Sequence, residues 1–408
     1  MNRLQEEMLR IVNSALKNEK VKINSGIEWK ELFKECRDHQ LVPLLNYGLE
    51  KEELKGALEE KDIEKLKLKI LRSNIRETEH VFKVSKVLKN LQEGGIPVIV
   101  LKGLVVRNLY PRPELRTMSD ADILVPLETL GKVSRLMKDM GYRQTKNFED
   151  HGAHIVFKKE GEYPVEVHWT LINNAFFKGN KEFEKELWQD CMDVQVGKVN
   201  ALGLSVENLA VHLCTHMAVH LAYKGFGLRQ LIDLTLLVNN YGNEIDWNRF
   251  LSKIKVSGIE RFTFTVFNLS SELFGMKIPK EIKARDTIGN EYTKLLLQDI
   301  LESGTHGKKD KSRVFASEFA FEQGSGASRD KKAILNKWLK LLFPPVREMG
   351  DRYSYAKNCI VLTPIAWIHH IFAGLFNKEY SFFNKYKIAT STIKVANERN
   401  KLLKGLNL

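Results

Sequence analysis

Cysteine is scarce: four in 408 residues, at Cys36, Cys191, Cys214 and Cys359, none forming a CxxC pair. That spacing excludes a disulfide-stapled scaffold and does not read as a zinc site. It fits a protein of a reducing cytoplasm. Internal repeats and low-complexity tracts are absent, as is any block of five or six consecutive Lys/Arg. The opening residues, MNRLQEEMLRIVNSALKNEK, are charged and amphipathic and lack the apolar run of a secretory signal. Apolar stretches near membrane-span length are missing but for one, Cys359 to Phe376. Pro364, His369 and His370 interrupt it. It reads as a buried helix, with weak interfacial membrane contact as its second use and no transmembrane span.

What is present is an ordinary globular balance of 43% hydrophobic and 28% charged residues, which excludes wholesale disorder, collagen and a polytopic membrane protein. The length suggests two or three units. The net charge of +13 favours anionic partners such as nucleotides, RNA or an anionic membrane surface. The charge is spread along helix-like stretches. It clusters only at Lys308, Lys309, Lys311 and Arg313, and at Arg329, Lys331 and Lys332, among Gly304, Gly307, Gly324 and Gly326. A basic loop over 304–332 is expected there. No aromatic residues interleave with basic ones in a way that specifies nucleic acid.

Apolar spacing predicts helices through residues 1–92, ending at Gly94-Gly95. A β-branched run over 96–101 then predicts a buried strand, Leu104 to Tyr110 a helix, and DADILV (120–125) a strand with one buried face. Leu127 to Met140 reads as helix; 154–158 and 165–169 read as strands. From Leu204 onward the pattern is helical, strongest over 209–223 and 228–241. The expected fold is α+β: a small mixed β-sheet core with helices over 93–203, flanked by an N-terminal helical region (1–92) and a large C-terminal helical domain (204–408).

The chemistry concentrates in Leu101-Lys102-Gly103 and in Arg116 to Val125 (RTMSDADILV). Asp120 and Asp122, two apart on a strand, point to one face and can grip a divalent cation. Hard oxygen ligands suit Mg²⁺, which binds one or two carboxylates plus substrate phosphates. Glu166, between Val165 and Val167, is a charge costly to bury without a cation. It is the candidate third carboxylate for a two-metal site.

With these elements in order, the chain resembles the nucleotidyltransferases of the DNA polymerase β superfamily, and more narrowly the family of uncharacterised nucleotidyltransferases. The resembling stretches are LKGLVVRNLYPRPELRTMSDADILV, VEVHW, LAVHLCTHMAVH, LRQLIDL, DW and LFPPVREMGDRY. The resemblance implies that Gly103 is the glycine of the turn against the triphosphate. It implies that Asp120 and Asp122 are the metal-binding pair and Glu166 the third acidic residue, with Mg²⁺ or Mn²⁺ as cofactor. Leu104 stands where the superfamily carries a phosphate-contacting Gly or Ser, so Lys102, Arg116 and Ser119 are the candidates for the phosphate grip.

His212, His216 and His220 fall at i, i+4 and i+8 on one helix face and are expected to be buried and hydrogen-bonded rather than to bind zinc. His168 shares the strand face of Glu166, and His154 lies on the preceding strand; with His216, Arg229 and Asp233 they are candidate substrate contacts or supports. Arg229 and Asp233 are expected to pair with each other. The implied activity is transfer of a nucleoside monophosphate from an NTP to an acceptor, with release of pyrophosphate. The acceptor, whether small molecule, peptide, protein or RNA, is not readable from the residues. Two alternatives remain: a DxD glycosyltransferase using a sugar nucleotide, and a non-catalytic phosphate-binding adaptor on a transferase scaffold.

Overall fold

Asn2 opens the first helix with a reciprocal cap. Its Oδ1 accepts from the Gln5 backbone N–H, and Gln5 Oε1 accepts from the Asn2 N–H, satisfying donors the helix itself cannot. The computed structural model describes residues 1–50, 53, 59–145, 154–171, 181–223, 225–285, 289–305, 343–346, 349, 351–375 and 398–408. Helix α1 (Arg3–Leu16) is followed by α2 (Trp29–Asp38) and α3 (Val42–Gly48), with Met8, Ile11, Leu32 and Leu44 buried among them. Helix α4 (Glu60–Glu93) runs 34 residues and stops where the sequence predicts. Gly95 there takes a φ of 67°, which glycine adopts without steric cost.

The sheet comprises β1 (Ile99–Val100), β2 (Ala121–Leu124), β3 (Arg143–Thr145), β4 (His154–Lys158), β5 (Val165–His168), β6 (Cys191–Val196) and β7 (Val199–Leu204). Their order is β3-β4-β5-β2-β1-β7-β6. The pairs β2–β5 and β1–β7 are parallel and the other neighbours antiparallel. The fold is thus α+β with a mixed sheet, as the sequence predicts. The strand expected over 96–101 pairs only at Ile99–Val100; Pro97, within that run, has no N–H to donate. All four residues of β2 are buried, which corrects the expectation of one buried face. The aspartate side is covered as well as the apolar one, because Lys102 and His168 lie against Asp122. The β6–β7 hairpin was not expected. Val196 and Val199 oppose each other across Gly197-Lys198, and Gly197 supplies the left-handed φ of 60° that a two-residue turn needs.

Helices α5 (Gly103–Val106), α6 (Leu130–Asp139) and α7 (Lys181–Gln189) sit between strands, and α8 (Val206–Tyr223) and α9 (Leu228–Tyr241) follow the sheet. Further helices span Trp247–Val256, Glu260–Phe274 and Asn290–Ser303. The chain divides into two compact units. One comprises residues 1–221, 225–309 and 406–408, the other 222–224 and 310–405. The first holds the sheet. In the second, Met349, Tyr353, Ala356 and Ala366 form a small core, and Trp367 Nε1 donates to the Pro344 carbonyl.

The apolar segment 359–376 is not the buried helix its composition suggests. Its helical part, Thr363–Leu375, leaves Ile365 55% and Ile368 56% exposed, with Val361 and Phe372 also in solvent. Apolar composition alone does not say how many faces of a helix are covered. No helix among the described residues is long and apolar enough to cross a membrane. Of the expected basic loop over 304–332, all but Gly304 and Thr305 lies outside the described residues.

Candidate active site

Parallel pairing of β2 with β5 places Asp122 opposite Glu166. Residues in register on adjacent strands project to one face, and Asp120 and His168, two positions away, continue it. Antiparallel β4 sets His154 opposite His168, with the ring centroids 4.7 Å apart. One sheet face therefore gathers Asp120, Asp122, Glu166, His168 and His154.

The turn after β1 faces these carboxylates. Lys102 adopts φ +40°, a region unfavourable for a residue with a β-carbon. Its buried ammonium lies 2.8 Å from Asp122 Oδ1, and His168 Nε2 lies 3.0 Å from the same oxygen. On the other side, the Lys102 ammonium is 3.3 Å from His216 Nε2, and His216 meets His220 at 2.9 Å. His212 is buried with neither ring nitrogen hydrogen-bonded, while His216 and His220 are hydrogen-bonded but half-buried, so the expectation of a buried, hydrogen-bonded trio is met only in part by each.

The carboxylates divide in their electrostatics. Burial alone would raise Asp122, but Lys102 and His168 hold it well below the usual carboxylate range. Asp120 is raised by burial and then by Asp122. Glu166 is raised to about 8, again by burial first and then by Asp122 and Asp120. Burial holds the His168, His212 and His216 imidazoles below their ordinary value.

Buttresses fix the loop between α5 and β2. Arg116 Nε and Nη2 bond both oxygens of buried Asp233, at 2.8 and 2.7 Å, and the Tyr110 hydroxyl donates to Asp233 at 2.8 Å. This corrects the expected Arg229–Asp233 pair: Arg229 instead donates to the Thr117 carbonyl. A β-carbon on Gly103 would come within 2.5 Å of Arg116 Nη1, so the glycine makes room for the guanidinium. Ser119 lies half-buried between Met118 and Asp120.

Sequence reasoning missed the support from α4. Glu77 accepts from the Met118 N–H at 3.1 Å. His80 Nε2 is 3.1 Å from the Asp120 carbonyl, so that nitrogen carries the proton. The available signal was a glutamate on the seam His80, Val84, Leu88 and Leu91, all of them buried.

A divalent cation fits this donor set. Three carboxylates crowd around the Lys102 ammonium, and two of them are pushed toward protonation by burial and by their negative neighbours, so a dication would take the place of those protons. Their oxygens are the hard donors that Mg²⁺ takes. Glu166 sits beside the imidazoles of His154 and His168, and the three offer donor atoms all within 4.8 Å of one another.

This crowding of carboxylates predicts a pH dependence. Glu166 moves from 4.5 to about 8 on folding, so between those values the folded chain holds a proton that the unfolded chain has lost, and stability falls as pH rises. Below 6.5 the buried neutral imidazoles, lowered from that value, act with the opposite sign. The carboxylate signature is therefore clean between about pH 7 and 8. Urea unfolding of the metal-free protein should show stability lost across that interval, reduced in Glu166→Gln and reduced by added Mg²⁺. Equal slopes in all three would refute the assignment.

A model of the family described as uncharacterised nucleotidyltransferase matches residues 25–275. No curated protein matches the chain. Among solved structures, the antibiotic-resistance factor ANT(2'')-Ia is similar at 14% identity and TM-score 0.32, over 44% of this chain and 89% of that one. The lincosamide antibiotic adenylyltransferase LnuA, bound to lincomycin, is similar at 15% identity and TM-score 0.28, over 39% and 94%. An antigenic nucleotidyltransferase-like protein from Paracoccidioides brasiliensis is similar at 12% identity and TM-score 0.33, over 51% and 99%.

Proposed function

The chain belongs to the uncharacterised nucleotidyltransferase family, and from that premise we propose that it transfers a nucleoside monophosphate from an NTP to an acceptor, with divalent metal and release of pyrophosphate. The observation that carries this reading is the register of Asp122 against Glu166 on adjacent parallel strands, with Asp120 on the same face and the Lys102 ammonium against Asp122.

The acceptor oxygen attacks the α-phosphorus, the bond to the β-phosphate breaks, and pyrophosphate leaves with the bonding electrons. Asp120 and Asp122 would hold the metal ions, which supply neutralisation of the phosphate charge. Lys102 holds Asp122 ionised and in place. Glu166, the carboxyl raised to about 8, takes the proton of the acceptor as the new bond forms. Glu77, His80 and Arg229 fix the backbone from Thr117 to Asp120, so the aspartates need little reorganisation as charge develops.

The test is incubation with each α-labelled NTP, Mg²⁺ and cell extract, following which fraction acquires label and which product leaves. Labelled acceptor with pyrophosphate is expected, falling about a thousandfold or more in the Asp120→Ala/Asp122→Ala double variant. Release of a nucleoside diphosphate from an added sugar nucleotide, with no label transferred from any NTP, would turn the reading toward glycosyl transfer. Labelling that survives the double variant would remove the aspartates from the mechanism.

A further inference from the structure

We infer that His154, Glu166 and His168 form a mixed nitrogen–oxygen metal site that takes a first-row transition dication, Mn²⁺ included, in preference to Mg²⁺. The inference deepens the reading above, because Glu166 belongs to both.

The geometry comes from the strands. His154 and His168 are direct partners across β4 and β5, and Glu166 stands two residues before His168 on the same face. Glu166 Oε2 lies 3.6 Å from His154 Nε2 and 3.8 Å from His168 Nε2. Around an ion bonded to imidazole and carboxylate at about 2.0–2.2 Å, neighbouring donors stand roughly 3 Å apart. The two glutamate–histidine distances exceed that spacing by under an ångström, and all three donors lie within 4.8 Å of one another. Both histidines are buried and Glu166 is only partly exposed, so the donors project from sheet backbone and not from a mobile loop. Asp122 Oδ1, 3.0 Å from His168 Nε2, borders the same group.

Donor chemistry sets the preference. Mg²⁺ favours oxygen and retains its water, whereas imidazole suits transition ions, and two histidines with one carboxylate is a recurrent transition-metal set. The competing arrangement is a purely supporting one, in which His168 Nε2 donates to Asp122 and never meets a metal.

Mn²⁺ distinguishes the two, because its paramagnetism reports nitrogen bonded to it. The full-length protein, without nucleotide, is titrated with Mn²⁺ and with Mg²⁺ and read by electron paramagnetic resonance with ¹⁴N modulation. Expected are directly bonded histidine nitrogen on Mn²⁺, Mn²⁺ held at least about tenfold more tightly than Mg²⁺, and an affinity loss of about tenfold or more in His154→Gln. An all-oxygen shell on Mn²⁺ in the unaltered protein overturns the inference, and so does a folded His154→Gln/His168→Gln variant that binds Mn²⁺ as tightly as the original. Should that variant not fold, the nitrogen signal of the unaltered protein decides alone. Nitrogen-bound Mn²⁺ in a protein that transfers no nucleotide would refute the transfer reading and leave this site standing. Transfer with an oxygen-only Mn²⁺ shell would do the reverse.

Discussion

Asp122→Asn is expected to lower nucleotidyl transfer by about a thousandfold or more and to destabilise the fold, while Asp120→Asn loses transfer to a similar extent and leaves the metal-free fold at least as stable. The two aspartates are one strand repeat apart but carry charge under opposite conditions. Asp122, 5% exposed, is the counter-charge of Lys102 at 2.8 Å, and that ammonium is itself buried. An asparagine keeps the shape and a hydrogen bond but strands the cation. Breaking a buried pair in this way costs about 3–5 kcal/mol. Asp120 has its carboxyl raised by burial and by Asp122, so its ionised form works against the metal-free fold and an amide relieves it. The divergence is measured by urea unfolding beside α-labelled transfer. If Asp122→Asn is as stable as the original, the ion pair does not hold Lys102; if Asp120→Asn keeps transfer, the aspartate has no part in the chemistry.

Much of this site was legible in the sequence because its signals are local. The i, i+2 aspartates, the glutamate between valines and the Lys-Gly turn each depend on strand periodicity and a few neighbours. Where the reading failed, the deciding contact was distant in the chain. Asp233 at i+4 from Arg229 looks like a helical pair, yet Arg116, 117 residues away, takes both its oxygens. His80 and Glu77 gave no motif, and their role exists only because α4 lies along the aspartate loop. The β6–β7 hairpin was readable from Gly197-Lys198 between Val196 and Val199. The exposed face of 363–375 was not, because periodicity reports which residues are apolar and not what covers them.

The second large effect separates a structural role for Arg116 from the phosphate-binding role that its position before the aspartates suggests. Asp233→Ala should destabilise the protein by about 3–5 kcal/mol, because it leaves a buried guanidinium and the buried Tyr110 hydroxyl without their common acceptor. Arg116→Met combined with Asp233→Leu should recover most of that loss, since replacing both members of a buried pair by apolar residues is often neutral. The recovery is the informative part: a cycle of the two single variants and the double isolates the coupling. The same cycle reaches Gly103. Its missing β-carbon leaves the space that Arg116 Nη1 occupies, so Gly103→Ala should be poorly tolerated beside the native arginine. It should be better tolerated when combined with Arg116→Met, because a flexible thioether can yield where the guanidinium cannot. If Arg116 instead served the triphosphate, Asp233→Ala would leave unfolding nearly unchanged and raise KM for the NTP. Urea midpoints and KM measured on the same variants decide between the two.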